Sequence, residues 1–132
     1  MRDSPSPTKT RELVIQTLYQ KTISGDSNTK VLKELKQSQK RLNIDKVAEI
    51  VKDIKSLEQK FIEIISKYSN IPTSRIGEIE LSILYLALYE ISLSKLDKPI
   101  IINEAIKLAK KFGQDSSHKF INAVLDKAIK NF

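Results

Sequence analysis

Apolar residues recur every three or four positions along most of the chain, which is the spacing of one face of an α-helix. The clearest helix is predicted from about Ile44 to Lys67. Its apolar positions are Val47, Val51, Ile54, Phe61, Ile65 and Tyr68. Glycine and proline fall only between such periodic segments, where helices end. The pattern therefore predicts an all-α chain.

Two further helices are predicted before this long one. Residues 1–8 are polar and contain two prolines, so we expect a disordered start. The first helix follows, with Thr8 or Thr10 as its N-cap and Gly25 as its terminator. Its apolar positions are Leu13, Val14, Leu18 and Ile23. A short, weakly apolar second helix is predicted over 28–40.

The second half of the chain predicts one helical turn and three helices. The turn starts at Thr73 and stops at Gly77. Residues 79–93 are apolar on nearly all sides, and no second strand is present to pair with them, so a central helix is favoured over a strand. Asp97 and Pro99 stop that helix.

Two amphipathic helices close the chain. The first covers 101–112 and places Ile102, Ala105, Ile106 and Ala109 inward, with Gly113 after its end. Ser116 or Ser117 caps the last helix. Its inward positions are Ile121, Val124, Leu125 and Ala128. About seven helices result, and a chain of 132 residues holds one hydrophobic core, so a single domain is expected.

The net charge of +7 is concentrated in two stretches. Residues 30–60 hold nine basic side chains against five acidic ones, and residues 107–132 hold six lysines against two aspartates. Such surfaces attract polyanions over long distances. Lysine-rich helix faces are also common on ordinary soluble proteins. Charge alone therefore leaves nucleic-acid binding open.

The composition argues against a membrane protein and against an enzyme. The longest apolar run, 81–93, is well short of the ~20 residues that span a bilayer, and the polar N-terminus resembles no signal sequence, so a cytoplasmic protein is expected. The chain has one histidine, no cysteine and three glycines. Zinc ligation and a glycine-rich phosphate loop are therefore excluded, and no cofactor or metal is expected.

Three stretches carry a family resemblance: "RELVIQTLYQ" at 11–20, "ILYLALYEI" at 83–91 and "INEAIKLAKKFGQDSSHKFINAVLDK" at 102–127. In this order they resemble the NusB family of bacterial transcription antitermination factors, and the last stretch is the most specific. The resemblance implies two small helical bundles packed together as one domain over 1–132. It also implies binding of single-stranded boxA RNA in nascent ribosomal RNA, in the transcription elongation complex. The implied protein partner is NusE, a small-subunit ribosomal protein.

The same resemblance implies an RNA site at the starts of the first and last helices. The matching positions are Lys9, Arg11, Tyr19, Ser117, His118, Lys119 and Phe120. Unpaired RNA is held by aromatic rings and cations, so these side chains are expected to be exposed. Alternatives stay open: Tyr19 and Phe120 could pack in the core. His118 could be a hydrogen-bonding residue of the helix's first turn, and Lys119 a solvated lysine.

Partner contact in the family involves the first helix and the central apolar helix, which points to Glu80 and Tyr85 here. Two other functions stay open on the same helices. One is a protein-binding adaptor without RNA contact, and the other is a stand-alone relative of the helical domain of rRNA cytosine methyltransferases. Because 132 residues leave no room for a methyltransferase's catalytic domain, a non-catalytic RNA-binding protein is expected.

Overall fold

The structure is a computed structural model that describes residues 7–24 and 44–131, with side chains omitted at 21–24. Within these ranges there are five α-helices and one 3₁₀ turn. They are α1 (Pro7–Ser24), α2 (Ile44–Tyr68), the turn Thr73–Arg75, α3 (Glu78–Leu93), α4 (Lys98–Phe112) and α5 (Ser117–Ile129). No strand occurs in the described ranges, so the all-helical prediction is confirmed. The helix predicted over 28–40 lies outside them.

The chain divides into two compact units, Met1–Lys55 and Ser56–Phe132. The described part of the first unit consists of α1 and the start of α2. The second unit contains the rest of α2 and all of α3, α4 and α5. A single domain stays a prediction.

Helix α1 starts earlier than predicted. Pro7 and Thr8 already belong to it, so the expected disorder is wrong for these two residues, while 1–6 lie outside the described residues. Proline is tolerated in a first turn because the N–H groups there have no acceptor within the helix. Thr8 and Thr10 consequently lie inside the helix, and neither is its N-cap. The buried apolar residues of α1 are Leu13, Val14 and Ile15, whereas Leu18 is half-buried.

Helix α2 follows the prediction closely, since it runs from Ile44 to Tyr68. Val47, Val51 and Ile54 are buried in the first unit. Phe61 and Ile65 are buried in the second, and Tyr68 is half-buried. The apolar period therefore identified both the helix and its buried face.

The core of the second unit is built around α3, against which both α4 and α5 pack. Every residue from 82 to 89 is buried. A helix surrounded on all sides has no solvent face, which explains why this segment lacks amphipathic alternation. The predicted central helix is thus confirmed.

The junction between α3 and α4 corrects one prediction. Pro99 does not separate the helices, because α4 begins at Lys98 and takes this proline into its first turn. The chain turns at Ser94, whose φ of 56° is left-handed. The buried face of α4 also differs from the prediction: it comprises Ile101, Ala105, Leu108 and Ala109, while Ile102 and Ile106 are half-buried.

The inward face of α5 is confirmed at all four predicted positions, Ile121, Val124, Leu125 and Ala128. At its far end, Lys98 Nζ of α4 donates a hydrogen bond to the carbonyl of Ile129, 3.1 Å away. That carbonyl belongs to the last turn of α5, where helix partners are missing. Among the described helices, none combines the length and apolar character needed to cross a bilayer.

Candidate RNA-binding surface

The segment between α4 and α5, residues 113–119, is called the hinge below. It starts where the Gly113 N–H donates to the Ala109 carbonyl at 2.8 Å and ends α4. Ser116 occupies the N-cap position of α5, but its side chain makes no capping hydrogen bond. Its carbonyl accepts the N–H groups of Lys119 and Phe120, at 3.2 and 3.3 Å. The hinge thus includes the first three residues of α5.

Ser117 is buried, with 4% of its surface exposed, so its expected exposure is wrong. Its hydroxyl donates to a carboxylate oxygen of Glu80 in α3. The same hydroxyl oxygen accepts the N–H of Gln114 at 2.9 Å. The side-chain hydroxyl is therefore used in hydrogen bonds within the protein. Only the backbone of Ser117 remains for a contact with RNA.

The three residues after Ser117 lie outside the buried face of α5. Lys119 is exposed, whereas His118 and Phe120 are half-buried. The first turn of α5 contains no acidic residue. A cation, an imidazole and an aromatic ring therefore surround a helix N-terminus that carries the positive end of the helix dipole.

Further positive charge precedes the hinge. Lys110 and Lys111 occupy the last turn of α4, and both are exposed. The Lys111 ammonium lies 5.6 Å from the centre of the Phe112 ring. These two lysines also suit the negative end of the α4 dipole, so their position has a structural explanation as well.

The α1 candidates differ from one another in exposure. Tyr19 is 38% exposed, so the alternative prediction that it packs in the core is wrong. Lys9 is exposed and lies 3.8 Å from the Glu12 carboxylate. Arg11 is buried, with 8% exposed, which contradicts the expectation for it. The reason is its position one turn before Ile15, on the buried side of α1.

Lys9, Arg11 and Tyr19 belong to the first unit and the hinge to the second. Their joining into one RNA surface stays a prediction that rests on the family resemblance.

The two candidate partner residues also occupy different environments. Tyr85 is buried, with 7% exposed, because it lies in the middle of the central helix α3. Burial raises the pKa of its hydroxyl above the usual value, and the nearby carboxylates of Glu58 and Glu78 raise it further. Glu80 is half-buried, and its carboxylate accepts the Ser117 hydroxyl. Tyr85 is thus not available at the surface of this chain.

The link between Glu80 and Ser117 was missed from the sequence. One signal was present: Gly77 is the N-cap of α3, and Glu80 stands at the third helical position, where a glutamate commonly folds back over the helix start. Nothing local indicated that the carboxylate would meet a serine 37 residues later. In the described ranges, no cluster of three or more histidine or carboxylate side chains is arranged to hold a metal ion.

Comparison with known proteins identifies the family. The NusB family profile matches residues 8–130. The transcription antitermination protein NusB of Aliarcobacter butzleri is 41% identical over 126 residues, which cover 93% of this chain and 96% of that protein. NusB of T. maritima superposes with a TM-score of 0.85 at 26% identity, covering 99% of this chain and 94% of that one.

A crystal structure of the antitermination factors NusB and NusE in complex with dsRNA contains a chain of the same fold. Its TM-score is 0.83 at 22% identity, with 95% of this chain and 96% of that chain covered. The family profile matches nearly the whole chain, and the A. butzleri protein is matched over nearly its whole length as well. The chain therefore belongs to the NusB family of transcription antitermination proteins.

Proposed function

We propose that this chain binds the boxA element of nascent ribosomal RNA as a single strand, together with NusE. The complex acts within the transcription elongation complex in the cytoplasm. The family is one of antitermination factors and not of enzymes, so the proposed role is binding without catalysis. The same resemblance supports about seven helices in two small packed bundles that form one domain.

The observation that carries this proposal is the start of α5. Its exposed side offers Lys119, with His118 and Phe120 half-exposed beside it. Single-stranded RNA is bound by stacking its bases on aromatic rings and by pairing its phosphates with cations and with N–H groups at helix starts. These three side chains supply the ring and the cation, and the absence of acidic residues from the first turn of α5 removes a source of repulsion.

Additional phosphate contacts are proposed for Lys110 and Lys111, which lie immediately before the hinge. In the first unit, the exposed Lys9 and Tyr19 remain candidates for direct contact. Arg11 and Ser117 are buried, so their proposed role is to pack beneath the RNA-binding residues of their own helices.

NusE is proposed as the protein partner because a solved complex of related fold contains NusB and NusE together. Glu80 is the stronger candidate for direct contact with it, since its side chain is partly exposed. Tyr85 is buried, so its proposed contribution is to the packing beneath the partner surface.

The test is a fluorescence anisotropy titration of labelled boxA RNA, with and without NusE. A scrambled strand of equal length and a duplex of the same sequence serve as competitors. Lys119→Ala should weaken binding. Lys127→Ala is the matched control, because it removes the same charge from an exposed position two turns further along α5.

Equal weakening by the two substitutions would assign the binding to general charge and remove the proposed surface. Preference for the duplex over the single strand would overturn the single-strand proposal. An absence of RNA binding, with NusE still bound, would favour the adaptor function instead.

A further inference from the structure

Two helix junctions that are distant in sequence meet at one small polar cluster, called the Glu80 relay below. Glu80 stands in the first turn of α3, and Ser117 is the first residue of α5. The Ser117 hydroxyl donates to the Glu80 carboxylate and accepts the N–H of Gln114 at 2.9 Å. A carboxylate on α3 is therefore connected through one hydroxyl to the backbone of the hinge.

Both glycines beside the Glu80 relay leave the space it needs. A Cβ at Gly113 would lie 2.7 Å from Ser117 Oγ and 2.8 Å from Ser117 Cβ, well inside ordinary contact distance. A Cβ at Gly77 would collide with the Glu80 carboxylate. At Gly113 the close approach depends on a residue without a side chain, whereas at Gly77 an added Cβ would displace the flexible Glu80 carboxylate from its position.

The hydrogen bonds of Ser117 favour a single conformation of the hinge. Ser117 is buried, and a buried hydroxyl without a partner costs free energy. A hydrogen bond to a carboxylate is shorter and stronger than one between neutral groups. The Ser117 N–H also donates to the Gln114 carbonyl at 3.0 Å, so Ser117 and Gln114 hold one another at two points.

We infer that Glu80 is a positioning residue for RNA, which fixes the hinge through Ser117 so that His118, Lys119 and Phe120 are presented in a single arrangement. This inference rests on the proposed function. Glu80 acts from behind the surface, without touching the RNA. If the Glu80 relay is broken, the hinge samples more conformations, and ordering them on binding reduces the affinity.

For Glu80→Ala, the loss of negative charge and the loss of the hydrogen bond to Ser117 predict opposite changes in RNA affinity. The sign of the measured change therefore distinguishes the two effects. Glu80→Ala removes a negative charge, and by electrostatics alone this would strengthen binding to a polyanion. The inference predicts weaker binding, by about 3- to 10-fold, which corresponds to the loss of one hydrogen bond. Glu80→Gln keeps a side-chain oxygen that accepts the Ser117 hydroxyl, so it should restore most of the affinity.

The matched control is Glu78→Ala. Glu78 lies in the same first turn of α3 and carries the same charge, and no hydrogen bond joins it to the hinge. Its removal should leave RNA affinity unchanged or slightly higher. Affinities are measured on the full chain far below its melting temperature, so that unfolding does not contribute.

A second measurement separates positioning from general stability. Amide hydrogen exchange of Gln114 reports its hydrogen bond to Ser117, while the amide of Leu86 in α3 reports the core. Glu80→Ala should accelerate exchange at Gln114 and leave Leu86 protected. If this variant fails to fold, Ser117→Ala replaces it, and the same weakening of RNA binding is expected.

Three results would overturn the inference: RNA affinity in Glu80→Ala equal to or above that of the wild type, no recovery in Glu80→Gln, or unchanged exchange at Gln114. Failure of the proposed function is distinguishable, because then the wild-type chain itself would not bind boxA RNA. The exchange measurement would still test the connection between Glu80 and the hinge.

Discussion

At the scale of single residues, Phe120 separates a role in RNA binding from a role in packing. It is half-buried, whereas its neighbour Ile121 is fully buried. If its ring stacks on a base, Phe120→Ala should weaken RNA binding by about 1–3 kcal/mol. Its partial exposure should keep the loss of stability below the about 3–5 kcal/mol expected for a fully buried phenylalanine. An RNA titration and a thermal melt measure the two effects.

The control for this substitution is Ile121→Ala, which should cost about 2–5 kcal/mol of stability and leave the RNA affinity of the folded protein nearly unchanged. A Phe120→Ala variant with a lowered melting temperature and unchanged RNA affinity would assign this ring to the core.

Tyr85 provides a test based on pH. Burial raises the pKa of its hydroxyl above the usual value of about 10, with Glu58 and Glu78 adding to the effect. The neutral form is thus favoured by folding, so this contribution to stability is complete below about pH 10 and is lost as the pH rises further. Tyrosinate absorbance should therefore show a tyrosine that ionises well above pH 10. Tyr85→Phe should remove this late step, and its persistence in the variant would contradict the assignment.

Residue exposure was the least predictable property of the site. The family resemblance implied that Lys119 and Tyr19 are exposed, and this is confirmed, but Arg11, Ser117 and Tyr85 are buried. Helical spacing indicates the face on which a residue lies. Whether a polar residue can be buried there depends on a partner elsewhere in the chain, as Glu80 is for Ser117.

At the scale of elements, the start of α5 can be tested by charge. Its N-cap residue, Ser116, is exposed, and no acidic residue follows in the first turn. Ser116→Asp should leave stability level or raise it by up to about 1 kcal/mol, because a negative charge suits a helix N-terminus. RNA binding should weaken several-fold at low salt, since a carboxylate about 4 Å from a phosphate repels it by about 1 kcal/mol in water. Screening should reduce the difference at higher salt.

The control is Ser66→Asp, the same substitution at an exposed position of α2. Ser66 is next to Lys67, which lines a groove together with Ala128 near the opposite end of α5. Equal affinities of Ser116→Asp and the wild type at low salt would show that the hinge does not border the RNA.

The end of α3 offers a test of local strain. Ser94 adopts a left-handed conformation, which costs most residues roughly 1–2 kcal/mol but costs glycine little. Ser94→Gly should therefore raise the free energy of unfolding by up to about 1 kcal/mol. Ser92→Gly, inside the helix, should lower it by about 1 kcal/mol. Denaturant unfolding measures both, and changes of equal sign would contradict the interpretation.

Elements were predicted better than their boundaries. The ends of α2 and the buried face of α5 followed from apolar spacing, because a helix packed on one side must show that period. The starts of α1 and α4 were misplaced since each contains a proline, and proline stops a helix in its interior but fits its first turn. Gly77 and Gly113 were located correctly at element ends, and their close contacts are with residues three or four positions away.

At the scale of the whole molecule, the location of the charges is more informative than the net charge of +7. Lys110 and Lys111 are exposed just before the hinge, and Lys119 is exposed at its end. A polyanion that contacts these lysines would release counterions, so its affinity would fall as salt rises. Charge of this kind, spread over a solvated surface with no RNA site, would predict weak binding without sequence preference.

The most direct test measures affinity as a function of salt concentration, both for boxA RNA and for a scrambled strand of equal length. It distinguishes a specific RNA site from general surface charge. With three to five phosphate contacts, the logarithm of the binding constant should fall against the logarithm of salt with a slope of about −2 to −3.5. At every salt concentration boxA RNA should bind more tightly than the scrambled strand. A slope indistinguishable from zero, or equal affinity for the two strands throughout, would contradict a specific RNA-binding function for this chain.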